Sequence, residues 1–148
     1  MTDRQNTAAA LTDLLGETYA LYLRAHGYHW NVEGPNFASL HALFEEDYRA
    51  LFESLDEIAE RIRALGAYAP MGGELRRIAA RYAEDNEVPS ANAMVQNLLS
   101  GHESWLEGAR AALDVAEEAG DPATEGLLGE LITAHEKTAW MLRSSLER

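Results

Sequence analysis

The chain contains no cysteine, which excludes a disulfide framework and any thiolate metal site. A bound metal would have to be held by imidazole and carboxylate, a donor set that favours iron, manganese or zinc. Lysine is almost as scarce: Lys137 is the only one among 12 basic residues, and they face 25 acids. The resulting formal charge of −13 makes a surface that attracts cations and a poor binder of duplex nucleic acid, which is gripped by clustered lysine and arginine. No run of 18 apolar residues occurs, and the opening Met1-Thr2-Asp3-Arg4-Gln5-Asn6 lacks the basic and then apolar stretches of a secretory signal. A soluble, cytoplasmic protein is expected. Its 148 residues suit one domain spanning 1–148, with about two thirds of the unfolded chain's surface buried.

What is present is helical periodicity. From Thr7 to Val32 the apolar positions Leu11, Leu14, Leu15, Tyr19, Tyr22 and Leu23 recur at helical spacing, and nothing alternates like a strand. Gly34-Pro35-Asn36 breaks this pattern, with Asn36 placed to cap a second helix that runs to about Leu65 and stops at Gly66. Residues 67 to 89, with Pro70, Gly72, Gly73 and Pro89, form a long connection holding a short helical piece over Leu75 to Tyr82. A third helix follows Pro89, capped by Ser90, and runs to Gly120. Asp121-Pro122 pairs a cap with proline at the first helical position and opens a fourth. An all-α chain of four long helices, with a short helix in the long crossover between helices 2 and 3, matches a ferritin-like four-helix bundle.

The chemistry concentrates in His29, His41, Glu45, Asp56 and Glu60. Taken singly, each is more simply a packed histidine or a solvated acid, since the second helix also carries Glu46, Asp47, Glu53 and Glu57. Geometry changes that reading: at 100° per residue, positions 41, 45, 56 and 60 fall at roughly 0°, 40°, 60° and 100° and form one stripe. The apolar set Leu40, Phe44, Leu51, Leu55, Ile58, Ile62 and Leu65 lies roughly 120° away and should enter the core. The ligand stripe therefore faces out of the bundle. The 41/45 and 56/60 pairs are separated by roughly 16 Å along the axis, too far to share an ion with bonds of about 2 Å. Two copies crossing antiparallel about a two-fold axis would set one pair against the other and make two sites per dimer. Tyr48, Phe52 and Ala59, on or beside the stripe, suit such a contact. No glutamate has a histidine three residues later, which argues against an inward-facing di-iron centre within one subunit.

The segments Leu21-Tyr22-Leu23, His29-Trp30-Asn31-Val32, Gly34-Pro35-Asn36-Phe37, Leu40-His41, Asp56-Glu57-Ile58-Ala59-Glu60-Arg61 and His135-Glu136-Lys137-Thr138-Ala139-Trp140-Met141 resemble the Dps family of mini-ferritins. The resemblance runs from about Leu14 to Leu146. It implies a homododecameric shell that oxidises ferrous iron at the dimer interface, often with hydrogen peroxide, stores ferric mineral and protects against oxidative stress. It further implies that His29, His41 and Glu45 come from one subunit and Asp56 and Glu60 from its partner. Glu45 stands where the family more often has aspartate, which bears on metal spacing and affinity.

Other features take plainer readings. The family's DNA binding rests on lysine-rich tails, and here the first segment offers only Arg4, while Arg76, Arg77 and Arg81 read as a solvated helix face. Direct DNA binding is therefore disfavoured, and the expected location is the cytoplasm, with association with the nucleoid as the alternative. Asp121, Glu125 and Glu130 stand where the family lines its three-fold pores, although the cap alone explains Asp121. Trp30 and Trp140 read first as core aromatics and second as quenchers of stray oxidising equivalents. His26, His102 and His135 match no ligand position and read as structural. Two rival functions fit the same helices: a shell that shields DNA with little oxidase activity, and a metal-free adaptor that dimerises through the second helix.

Overall fold

The computed structural model describes residues 1–147. Among these residues lie five helices and no strand: α1 (Asp3–Asn31), α2 (Phe37–Ala64), α3 (Gly72–Ala79), α4 (Ala91–Glu118) and α5 (Pro122–Ser144). The first helix starts four residues before the expected Thr7. Thr2 and Gln5 form a reciprocal capping box in which each side chain bonds the other's backbone N–H, satisfying donors that the helix start leaves free. Ser90 and Asp121 cap α4 and α5 as expected, accepting from the backbone N–H of Ala93 and Thr124. Asn36 does not cap α2 with its side chain. Its backbone sits at φ −104° and ψ 21°, outside the extended region from which an N-cap side chain reaches back; the carbonyls of Gly34 and Asn36 accept from Phe37 and Leu40 instead. Gly66 ends α2 at φ 92°, the left-handed conformation that glycine adopts without steric cost.

Four long helices pack as a bundle in which α1 lies against α2 and α4, and α5 lies against α4 and α2. Tyr28, late in α1, meets Asn97, early in α4. Arg61, late in α2, meets Asp121 and Thr124 at the start of α5. Neighbouring helices are therefore antiparallel, so the segment between α2 and α4 must travel the bundle's length. It does so along α1, where Arg24 and Tyr28 both bond the Asp85 carboxylate. The short helix lies three residues earlier than expected, because Gly72 and Gly73 open it rather than break it. Ile78 of α3 packs directly on Gly16 of α1, where a Cβ would stand 2.0 Å from the Ile78 Cγ2.

Leu11, Phe44, Ile58, Leu98, Trp105, Leu128 and Leu142 are wholly buried between the helices, each such side chain contributing roughly 1.5–3 kcal/mol. The expected apolar stripe of α2 enters this core, with Leu55 at its edge. That fixes the rotation of α2 and turns Glu45, Asp56 and Glu60 away from the bundle axis.

Candidate metal centre

His29 lies in the last turn of α1 and His41 in the second turn of α2, facing each other across the tight α1–α2 turn. His29 Nδ1 donates to the His41 carbonyl at 2.8 Å, and His41 Nδ1 donates to the His29 carbonyl at 2.7 Å. A carbonyl only accepts, so each Nδ1 carries its hydrogen, and in the neutral rings both Nε2 atoms keep a free lone pair. The rings stack with centroids 3.8 Å apart, and Phe37 covers the outer face of His41. Glu45, one turn after His41, brings Oε1 within 3.7 Å of His29 Nε2. Its other oxygen accepts from Arg49 at 3.0 Å, and this bond is the main reason its pKa lies below the ordinary carboxylate value. One donor atom from each of His29, His41 and Glu45 lies within 4.8 Å of the others. Two imidazoles and a carboxylate so placed offer an incomplete shell for a first-row transition metal. His29 is buried, whereas the Glu45 side chain keeps 40% exposure, so the cluster opens to one side.

Asp56 and Glu60 are not brought to this cluster. They lie further along α2, exposed on the outer surface, and Asp56 raises the pKa of Glu60 through a close side-chain contact between the two acids. Like charges one helical turn apart repel and would gain from a shared cation. Between the two groups, Tyr48 and Ala59 are half-buried and Phe52 is 60% exposed. The outer face of α2 thus carries a histidine–glutamate cluster, an apolar stretch and an acid pair in sequence.

A family model described as a ferritin-like domain matches residues 8–148. A DNA protection during starvation protein of Brevibacillus brevis is 34% identical over 146 residues, covering 97% of both chains. The chain belongs to the Dps group of ferritin-like proteins. The crystal structure of a Dps protein from Vibrio cholerae, described as a member of a broad superfamily of ferritin-like diiron-carboxylate proteins, superposes with a TM-score of 0.92 at 36% identity, covering 98% of this chain and 91% of that one. A low temperature-induced protein of Nostoc is 41% identical over 147 residues, 97% of this chain and 82% of its own.

This Dps chain departs from the sequence reading in two places. Asp47, grouped with the surface acids, is 3% exposed and accepts from buried His102 Nε2 at 2.9 Å. His102 Nδ1 meets His135 Nδ1 at 2.9 Å, and Trp105 lies flat on His135 with centroids 3.4 Å apart. Burial, reinforced by His102, holds the His135 pKa down at about 2. The signal was present: Asp47 falls between Phe44 and Leu51 on the core stripe of α2. Trp30 and Trp140, read first as core, are 66% and 59% exposed, because they project from the outer faces of α1 and α5; Trp30 lies over His26 at 4.2 Å. Asp121 serves as the cap that the sequence indicates and adds an ion pair with Arg61 at 3.0 Å.

Proposed function

We propose that this protein oxidises ferrous iron at sites shared between two subunits and stores the ferric product in a hollow shell of twelve copies. Membership of the ferritin-like family supports iron storage and protection against oxidative stress in general. The observation that carries the finer reading is the His29–His41 arrangement, in which both Nδ1 atoms are committed to carbonyls and both Nε2 atoms are free beside Glu45. In the proposed dimer, Asp56 and Glu60 of a second copy complete the shell, and Tyr48, Phe52 and Ala59 are covered by the same contact.

Iron is the substrate here. Neutral imidazoles bind ferrous iron, and Glu45 with the two acids holds the more highly charged ferric product and bridges toward a second, weaker position. Hydrogen peroxide is the proposed oxidant: two ferrous ions each give one electron, the O–O bond breaks, and two protons complete two waters. Taking electrons in pairs avoids release of hydroxyl radical. The acidic surface draws cations toward the protein. With Lys137 the only lysine, direct duplex binding is not part of the proposal. The proposed location is the cytoplasm.

The deciding experiment mixes ferrous iron with purified apoprotein under anaerobic conditions, adds stoichiometric peroxide, and runs a His29→Ala/His41→Ala double variant alongside. Rapid ferric absorbance in the wild type, lost in a variant that still assembles, is the expected result. Equal rates in both proteins would overturn the site assignment.

A further inference from the structure

Between its two groups of acids, the outer face of α2 carries a single cation. Arg49 is the only lysine or arginine between Glu45 and Asp56. At 100° per residue it lies roughly 80° from His41, inside the stripe that positions 41 to 60 define. Its Nε donates to Glu45 Oε2 at 3.0 Å, and its guanidinium lies 5.5 Å from the centre of the Tyr48 ring. It is thus braced on two sides, although its side chain is 66% exposed. The consequence falls on Glu45, whose Oε1 stands 3.7 Å from His29 Nε2. Because His29 Nδ1 donates to the His41 carbonyl, that Nε2 carries a lone pair in the neutral ring. Two acceptors have no attraction for one another, so their approach needs another cause. Among the described residues Arg49 is the only hydrogen-bond donor to Glu45, and this bond turns Oε1 inward, where a cation can join the two atoms.

We propose that Arg49 is a positioning residue of the iron site, holding Glu45 as a one-oxygen ligand and supplying a positive charge that limits each site to one tightly bound ferrous ion. This role rests on the two-copy site of the ferroxidase reading above and sets how many ions that site takes. Glu45, with Asp56 and Glu60 of a second copy, brings three negative charges, the neutral imidazoles bring none, and Arg49 offsets one. A single ferrous ion cancels what remains, and a second would enter a site that is already neutral. The opposition lasts because a guanidinium does not lose its proton in a protein and because charges covered by a dimer contact are screened less than exposed ones. With Oε2 occupied by Arg49, Glu45 also has no free oxygen with which to reach a second ion.

Anaerobic calorimetric titration of ferrous iron into the assembled protein reads both roles. Arg49→Lys keeps the charge, Arg49→Gln keeps a donor for Glu45 without the charge, and Arg49→Ala keeps neither. Expected are one tight ion per site in the wild type and in Arg49→Lys, and in Arg49→Gln a second ion bound roughly tenfold or more tightly than in the wild type. The first ion should bind several-fold more weakly to Arg49→Ala than to Arg49→Gln, since only the donor differs. An unchanged second affinity in Arg49→Gln overturns the proposal, as does a wild type that takes two ions equally well, an Arg49→Lys that behaves as Arg49→Gln, or equal first affinities in Arg49→Gln and Arg49→Ala. Should Arg49→Gln fail to assemble, Arg49→Ala, which also lacks the charge, reads the second affinity in its place, and Arg49→Lys reads the first. The His29→Ala/His41→Ala double variant separates the two levels. If it binds ferrous iron as the wild type does, the site assignment and the role of Arg49 fall together; if its binding is lost while every Arg49 variant matches the wild type, the role of Arg49 alone is refuted.

Discussion

His29 and His41 clasp the α1–α2 turn, each imidazole donating Nδ1–H to the other's backbone carbonyl at 2.8 and 2.7 Å. The clasp closes a turn and sets the tautomers in one arrangement, and the two roles can be separated. In His41→Asn the side-chain amide reaches the His29 carbonyl in place of Nδ1 but offers no Nε2. The melting temperature should stay within a few degrees of wild type, while ferrous affinity falls by at least about tenfold. His41→Ala loses both roles and should cost about 1 kcal/mol more than His41→Asn. Calorimetry and anaerobic metal titration on the three proteins check this.

Asp47 and His102 form a hydrogen-bonded pair inside the bundle, with side chains 2% and 1% exposed. Removing one partner of such a pair leaves the other desolvated without compensation. Asp47→Ala should therefore destabilise the protein by about 1–3 kcal/mol, although Asp47 is not among the proposed iron ligands. Urea denaturation, read as a shift in midpoint at constant slope, measures it. An unchanged midpoint would mean that the contact contributes nothing net.

The four long helices were legible because apolar spacing, Ser90, Gly66 and the Asp121-Pro122 pair each act within a few residues. The orientation of α2 was legible for the same reason, since one 3.6-residue period places Leu40 to Leu65 inward and positions 41, 45, 56 and 60 outward. The buried network was not. Asp47, His102 and His135 lie on three different helices: the two histidines read as structural and Asp47 as a surface acid, and nothing short of packing joins the three. Asp121 was ambiguous in a related way, because a cap, an ion pair with Arg61 and a pore acid need the same side chain. The start of α1 was a missed local signal: Thr2 and Gln5 have the spacing of a capping box.

His135 gives the bundle a pH dependence of definite sign. Its ordinary value of 6.5 falls to about 2 in the folded protein. Below about pH 6.5 the unfolded chain therefore binds a proton that the folded chain refuses, and stability falls as pH drops toward 2. The slope from this one group approaches about 1.4 kcal/mol per pH unit. In His135→Phe the dependence of unfolding free energy on pH between about 6 and 5 should weaken by about one proton. Wild-type His135 ring resonances should show no titration over the same range.

Gly16 tests how the crossover is held to the bundle. A Cβ there would stand 2.0 Å from Cγ2 and 2.7 Å from Cβ of Ile78, and 3.3 Å from the Ile78 backbone carbon. Rotating Ile78 would relieve the first contact, but neither the second nor the third moves with a side-chain torsion, so α3 as a whole must lift from α1. Gly16→Ala gains helix propensity of about 1 kcal/mol in α1, against overpacking that typically costs 1–3 kcal/mol, and the geometry favours the larger figure. The expected outcome is a net loss of about 1–2 kcal/mol, with faster amide exchange in α3 and little change in α4 and α5. Gly16→Ala combined with Ile78→Ala removes the Cγ2 contact but keeps the 2.7 Å approach to the residue 78 Cβ, so α3 protection should recover only in part. If the double variant is as loose in α3 as the single one, the lost Ile78 burial outweighs the relieved clash, and the helix is held by that side chain more than by the close approach at Gly16.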